Sequence, residues 1–388
     1  MTGSSTLRRR WHAVVPAALF ALLPACSKSP EAVLRAAAGV RGTGTPLSRA
    51  APSEVGVDGG TLAGMLRYLS GNPGVEAVVI VRRGRVVLEA HVPPSRPGQA
   101  QALDTCTQSV TSLLTGIALR DKAIESLDRP VIEFFPGRRT ADRDSPWKAI
   151  TLRHLLTMQG GLDWDDTHEA PSTHEMEQSA DPVQYVLDRA VNMEPGSAFR
   201  YSNGAAHLAG AILQARTGKT LGAYAQEKLF GPLGITRFSW SEGPGGLSWG
   251  SSGITLSAED LAKLGQLLLQ KGEWEGKQII PAEWISESTR KWAETSTADA
   301  SDQGYGYLWW RTASGYAAFG SGSQALFVDP DHELVAVFLG ASGTDRTLPA
   351  VVMDSYVLRA VDGGGSPDAD RKLRDAIAAF ERQPEPSR

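Results

Sequence analysis

The stretch Thr105–Leu119, TCTQSVTSLLTGIAL, decides how this chain is read. Val110, Leu113, Leu114 and Ile117 recur three and four residues apart, so 105–120 is predicted to be a helix with one apolar face. Upstream, Leu62, Met65, Leu66 and Leu69 give 58–70 the same helical spacing. Two β-rich runs, Ala77–Val81 and Val86–Val92, then flank Arg82-Arg83-Gly84-Arg85, a hairpin signal. Downstream, 149–158 reads as a helix and 160–200 as loop-rich chain. Helical patterns resume at 204–216, 221–229 and 257–271, and strand patterns follow at 305–313, 316–320, 324–328 and 334–340. A helix over 346–361 leads to a glycine-rich linker from Asp362 to Ser366. Leu373, Ile377 and Phe380 then mark 367–381 as amphipathic, a helix packed on the body or one facing a partner.

This order predicts an α/β chain of the α+β type. One antiparallel sheet is flanked by helices, and an all-helical subdomain over about 105–300 is inserted into it. The 388 residues suffice for one large domain or two ordinary ones. A net charge of −4 without long like-charge blocks gives no footprint for nucleic acid. Two cysteines exclude a disulfide scaffold and a cysteine-based zinc framework, and no segment recurs at a fixed period.

The N-terminus carries Arg8, Arg9 and Arg10 before an apolar run from Ala13 to Ala25. That run is too short for a permanent membrane span but suits a signal peptide. It ends Leu23-Pro24-Ala25-Cys26, which resembles the lipobox of bacterial lipoproteins, with Cys26 as the lipidated residue. A plain secretory signal cut nearby is the alternative. Residues 1–26 are thus expected to be a signal peptide with lipobox, and 27–52, rich in Ala, Gly, Ser, Thr and Pro, a flexible tether. The folded domain, 53–361, would then sit outside the cytoplasm, anchored on the periplasmic or cell-surface side of a bacterial membrane. Residues 362–388 complete the chain as linker and C-terminal amphipathic helix.

The opening stretch, with SLDRPV from Ser126, resembles the serine β-lactamase and penicillin-binding-protein superfamily, in its class C-like branch of esterase and nylon-oligomer-hydrolase type. Members of that branch carry S-x-x-K-S-x-T-S-L-L-x-G-I-A and then S-L-D-x-P-V. Further matches follow in order: LTMQGGLDWDD at 156–166, PGSAFRYSNGAAHLAGAI at 195–212 and FGPLGI at 230–235. They continue with the run at 251–284, GYGYLWW at 304–310 and FGSGSQALFVDP at 319–330, covering most of 53–361. The resemblance implies covalent acyl transfer, with a Ser nucleophile at a helix N-terminus and a Lys one turn later. A Tyr from Y-x-N assists the proton traffic, and backbone N–H groups of the nucleophile and of an x-x-G strand form the oxyanion hole.

Carried onto this chain, Y-x-N is Tyr201-Ser202-Asn203, although a tyrosine capping the helix near Gly204 would look the same. The strand motif falls on Ala318-Phe319-Gly320, with Gly322 close behind, as an oxyanion and substrate edge or a glycine-rich bulge. The nucleophile motif departs from the pattern. Its Ser and Lys fall on Thr105 and Gln108, and a register started at Ser109 meets Ser112 instead of a lysine. Gln108 can hold a hydrogen bond but cannot take a proton. Losing a positioned base alone costs roughly 10²–10⁴ in rate, and the β-methyl of Thr105 crowds attack.

Cys106 is expected to point into the core, away from Thr105, as a buried thiol, with a replacement nucleophile as the alternative. His168-Glu169 and His174-Glu175 lack metal-ligand spacing. Asp163, Asp165 and Asp166 suit a cap or solvated turn before a cation site, and Trp164, Trp309 and Trp310 suit a cleft wall or a core. No cofactor or metal is expected. The functional expectation is an exported, catalytically impaired or inactive binding or scaffold protein for a small-molecule or peptidoglycan-like ligand. The alternative is a slow hydrolase of ester, amide or peptidoglycan-related substrates acting through Thr105 with Tyr201 as base.

Overall fold

The computed structural model describes residues 46–141, 146–166, 172–295, 303–341 and 347–384, all within the unit Arg41–Arg388. Its centre is the hairpin read from the sequence: β2 (Val75–Arg82) and β3 (Arg85–His91), with β1 (Ser48–Arg49) pairing parallel to β3 at the edge. Arg83 and Gly84 both take positive φ, 49° and 72°, as a two-residue turn of type I′ demands. Three short strands, β4 (Gln101–Ala102), β5 (Ser239–Trp240) and β6 (Ile254–Leu256), form a separate sheet in the order β4-β6-β5. A second hairpin joins β7 (Glu273–Trp274) to β8 (Lys277–Gln278). The last strands, β9 (Trp310–Arg311), β10 (Tyr316–Phe319), β11 (Ala325–Asp329) and β12 (Leu334–Gly340), complete the main sheet, ordered β1-β3-β2-β12-β11-β10-β9. The antiparallel sheet flanked by helices is as expected.

Both faces of this sheet are covered, so β2 reads as a nearly continuous apolar run. Ala77, Val79 and Val81 point to one core and Val78 and Ile80 to another, following the period of a strand. The first core includes the apolar faces of the Thr107–Arg120 and Ala258–Leu269 helices and most of the inserted subdomain. The second holds the Gly59–Gly71 helix, the chain from Leu348 to Asp362 and the C-terminal helix Pro367–Phe380.

That C-terminal helix belongs to the body. Leu373, Ala376 and Phe380 are buried, Ser366 caps it through the Ala369 amide, and buried Asp370 accepts from the Ser53 amide at 3.1 Å. A Cβ on Gly59 would lie 2.7 Å from the Ala369 carbonyl oxygen, so glycine there lets the two helices touch.

Four expectations are corrected. The inserted subdomain is not all helical, because it carries the β5–β6 pairing and the β7–β8 hairpin. The loop-rich stretch 160–200 contains helices Ser172–Gln178 and Pro182–Leu187; Asp181 caps the latter, Pro182 opens it, and Val183, Val186 and Leu187 anchor it. The strand over 305–313 shrinks to β9, because Gly304 and Leu308 take φ of 119° and 61° and fold the chain back to bridge Tyr305 with Trp310. The tether over 27–52 ends early: Leu47 is buried, and Ser48 and Arg49 pair with Arg85 and Val86. The signal peptide with Cys26, the tether up to residue 45 and His168-Glu169 lie outside the described residues.

Candidate active site

After β4 the chain turns sharply. Asp104 takes φ 45° and starts a 3₁₀ turn, Asp104–Cys106, that runs straight into the Thr107–Arg120 helix. Thr105 therefore sits half-buried in the turn ahead of the helix. Below it, Ser109 donates to the Leu308 carbonyl at 2.7 Å and Thr111 to the Gly250 carbonyl at 2.8 Å. The Thr107 hydroxyl accepts from the Ile254 amide at 3.3 Å. These buried bonds fix the helix against the chain on either side of it.

Thr105 Oγ1 donates to the Phe319 carbonyl, at the end of β10, at 2.9 Å. Ser321 closes the same gap by donating to Asp104 Oδ2 at 2.7 Å. The strand end and the turn thus meet. A Cβ on Gly320 would lie 2.8 Å from the Leu103 carbonyl oxygen and 2.7 Å from Gln324 Cβ, so the missing side chain lets the protein's own chain approach closely there. Ala318 is buried in the core, Phe319 is half-buried, and Gly322 is buried.

Gln108 is buried and central. Its Nε2 donates to Tyr201 Oη and to Asn203 Oδ1, each at 2.7 Å. Asn203 Nδ2 in turn donates to Thr173 Oγ1 at 2.9 Å and to Asp166 Oδ2 at 3.3 Å. Asp166 also accepts from Trp164 Nε1 at 3.0 Å, from the Thr173 amide at 2.8 Å and from the Thr173 hydroxyl at 2.8 Å. An ionised carboxylate only accepts, so Asp166 forces Asn203 to turn its nitrogen toward it and its oxygen toward Gln108. Gln108 must then present its NH₂, and both of its donors are engaged.

Ser202, not Tyr201, caps the Asn203–Thr217 helix, accepting from the Ala205 amide at 3.1 Å. This leaves the Tyr201 ring to stack on Trp310, with centroids 6.0 Å apart and planes at 23°. Trp310 belongs to this stack while Trp309 is buried in the core. Trp164 lies over Gly204, where a Cβ would come within 2.4 Å of its ring.

Cys106 faces inward as expected. It is 2% exposed, its thiol donates to the Gln324 carbonyl at 3.6 Å, and burial pushes its pKa far above the ordinary range, so it is no thiolate nucleophile. The three aspartates do not converge: Asp163 is exposed and lies 3.9 Å from Arg200, while Asp166 is engaged as described. Among the described residues no group of three acids, histidines or cysteines fits a metal ion. Glu175 accepts from the Tyr185 hydroxyl at 2.6 Å. From sequence alone Asp166 reads as a cap, a solvated turn or a cation ligand, and Thr173 carries no reading. The cue available was Asp166 two residues from Trp164 within the motif at 156–166, but Asn203, which Asp166 orients, lies 37 residues along the chain.

The arrangement supplies a hydroxyl, a phenol and a chain of amides ending on a carboxylate. Gln108 holds Tyr201 Oη as an acceptor and cannot itself receive a proton. A lysine at 108 would offer a charge and, once deprotonated, a base at the same point.

Comparison with known proteins bears on the family and the fold. The profile of the Beta-lactamase family matches residues 62–351. The 6-aminohexanoate-dimer hydrolase of Paenarthrobacter ureafaciens is 21% identical over 291 residues, covering 69% of this chain and 72% of that one. Monacolin J acid methylbutanoyltransferase of Aspergillus terreus is 30% identical over 155 residues, only 37% of either chain. Among solved structures, a Bacillus anthracis protein described by inference as a 6-aminohexanoate-dimer hydrolase superposes with a TM-score of 0.69 at 20% identity. That match covers 83% of this chain and 88% of the other, and it shows a shared fold.

Proposed function

This chain belongs to the β-lactamase family of serine hydrolases, and we propose that within it the protein binds an acyl-type ligand without forming the acyl-enzyme. The observation that carries this reading is Gln108 donating to both Tyr201 and Asn203 from the position where the family motif has lysine. An amide nitrogen there has no lone pair to take the Thr105 proton, and that proton is directed to the Phe319 carbonyl. The half-buried, stacked rings of Tyr201 and Trp310 support the binding reading, since they offer a ligand an aromatic face. The reading extends to export and lipidation at Cys26, supported by the basic and apolar N-terminal pattern ending in Leu23-Pro24-Ala25-Cys26. The ligand class is small molecules or peptidoglycan-like fragments bearing the amides or esters on which such clefts act.

The test incubates purified protein with a fluorophosphonate and, separately, with a β-lactam, followed by intact mass spectrometry. No adduct on either arm is the expected result. A stoichiometric adduct on Thr105 overturns the reading in favour of a slow hydrolase that uses Tyr201 as base. For the N-terminus, incorporation of labelled fatty acid should be abolished by Cys26→Ser; incorporation that persists in that variant refutes lipidation at Cys26.

A further inference from the structure

Between β2, β3 and β4 a run of hydrogen bonds dictates the position of a proton. Gln101 Nε2 donates to Glu76 Oε2 at 2.8 Å. The carboxylate only accepts, so the amide is fixed with Oε1 on the other side, where it accepts from Ser95 Oγ at 3.1 Å. Ser95 has one proton, and it points at Gln101. Toward His91 Nδ1, 3.1 Å away, the serine therefore offers a lone pair. His91 Nε2 faces a second acceptor, Glu89 Oε1, at 3.0 Å. Both ring nitrogens meet acceptors, and a histidine donates from both only as the imidazolium.

We propose that His91 is the protonated centre of a pH-sensitive latch that pins the strand leading into Thr105. The ring is 5% exposed. The charged groups around it alternate in sign: Arg49 on β1 pairs with Glu89 on β3, His91 follows, and Glu76 on β2 closes the run through Ser95 and Gln101. Glu259, at the start of the Ala258–Leu269 helix, acts on Arg49, and Arg237 stands beside Gly98 in the loop between β3 and β4. When His91 loses a ring proton to solvent, a bare nitrogen faces either the Glu89 carboxylate or the Ser95 oxygen. Ser95 relieves this by turning its proton from Gln101 to Nδ1, which releases Gln101 Oε1.

The released residue matters to the cleft. Gln101 and Ala102 pair with Leu256 and Thr255, and the Leu103 amide donates to the Ile254 carbonyl at 2.9 Å. The Leu103 carbonyl oxygen lies where a Gly320 side chain would be. Movement of 101–103 therefore shifts both the Asp104–Cys106 turn and the strand end that accepts the Thr105 proton. Because the open state is the deprotonated one, the site is held at lower pH and loosened as pH rises.

The experiment follows ¹⁵N-labelled histidine ring resonances and amide exchange of the whole protein from about pH 5 to about pH 10. His91 is expected to show two protonated ring nitrogens at neutral pH. Exchange of the 101–106 amides, corrected for base catalysis, should rise about tenfold as His91 deprotonates, as for one lost buried hydrogen bond. Ser95→Ala and, independently, Gln101→Leu should remove that pH dependence. A neutral His91 ring at neutral pH overturns the proton assignment. Exchange that rises with pH equally in wild type and in both variants overturns the latch.

Discussion

Two polar networks converge on the few residues between Gln101 and Gln108, and they are built on opposite principles. The one behind the turn, from Arg49 through Glu89 and His91 to Glu76, alternates acidic and basic groups, buried at Glu89 and His91 and open to solvent at Arg49. The one facing the cleft, from Tyr201 through Gln108 and Asn203, transmits only neutral amide dipoles until it reaches Asp166. A charged network is costly to bury and strongly destabilising to break, whereas an amide chain fixes positions without storing a titratable proton. The support is built from ionic groups; at the place where the resembling motif carries a lysine, the cleft network has the amide of Gln108.

The sharpest way to break that contrast is to return the charge. Thr105→Ser with Gln108→Lys puts an amine between the same two partners, Tyr201 Oη and Asn203 Oδ1, with Asp166 behind Asn203. Acylation by a fluorophosphonate should rise about 10²-fold or more over wild type, the scale of a positioned general base. Intact mass against time measures it. No gain would point instead to the strand end as the obstacle, where Leu103 and Gln324 fill the space beside Gly320.

The converse removes charge from the support. Hydrogen bonding from His91, opposed by burial and aided by Arg49, holds the Glu89 carboxyl at about 2 against an ordinary value of 4.5. The unfolded chain thus takes up this proton first, so the carboxylate's contribution is complete above the ordinary value and is lost as pH falls toward 2. Glu89→Gln should cost about 2 to 3 kcal/mol at neutral pH, less than a wholly buried pair because Arg49 is open to solvent. It should also flatten that acid slope. Denaturant midpoints across the acid range test both, and a variant with the wild-type slope would show that Glu89 does not carry it.

A steric change probes the amide chain without replacing any of its donors. Gly204→Ala would drive a methyl into the Trp164 ring, whose Nε1 holds Asp166. A loss of about 1 to 3 kcal/mol is expected, as for overpacking elsewhere, with altered Trp164 fluorescence. Unchanged stability would mean that the ring moves freely and that Asp166 does not depend on it.

The extent to which the sequence disclosed this follows from the range of each interaction. The β2–β3 hairpin is readable because its turn and its two apolar runs are contiguous over 77–92, and the Thr107–Arg120 helix because its periodicity is local. Thr105, Gln108, Tyr201 and Asn203 were found as positions in a resembling motif, not from physics, and the hydrogen bonds that join them appear only in the fold. Asp166 and Thr173 were invisible as anchors because Asn203 reaches them across 37 and 30 residues. The His91 proton was equally hidden, since it depends on Glu76, Ser95 and Gln101 facing one another in order. The strand expected at 305–313 failed for a related reason: the aromatic run carries β propensity, but Leu308 at positive φ breaks it for the sake of tertiary contacts.

The smallest expected effect discriminates most finely between the two readings of the cleft. Tyr201→Phe removes the hydroxyl that accepts from Gln108 and keeps the ring that stacks on Trp310. If the cleft only binds, the cost is one hydrogen bond of an amide that retains Asn203, about 1 kcal/mol of stability. Turnover of an activated aryl ester should then stay at the background rate in both proteins. If Thr105 instead works slowly with Tyr201 as base, wild type should turn over above background and the variant should lose that excess, with stability changed no more than before. The stability measurement cannot separate these outcomes, because the lost bond is the same in each. The ester rate can, because only a working base makes the phenol oxygen kinetically visible.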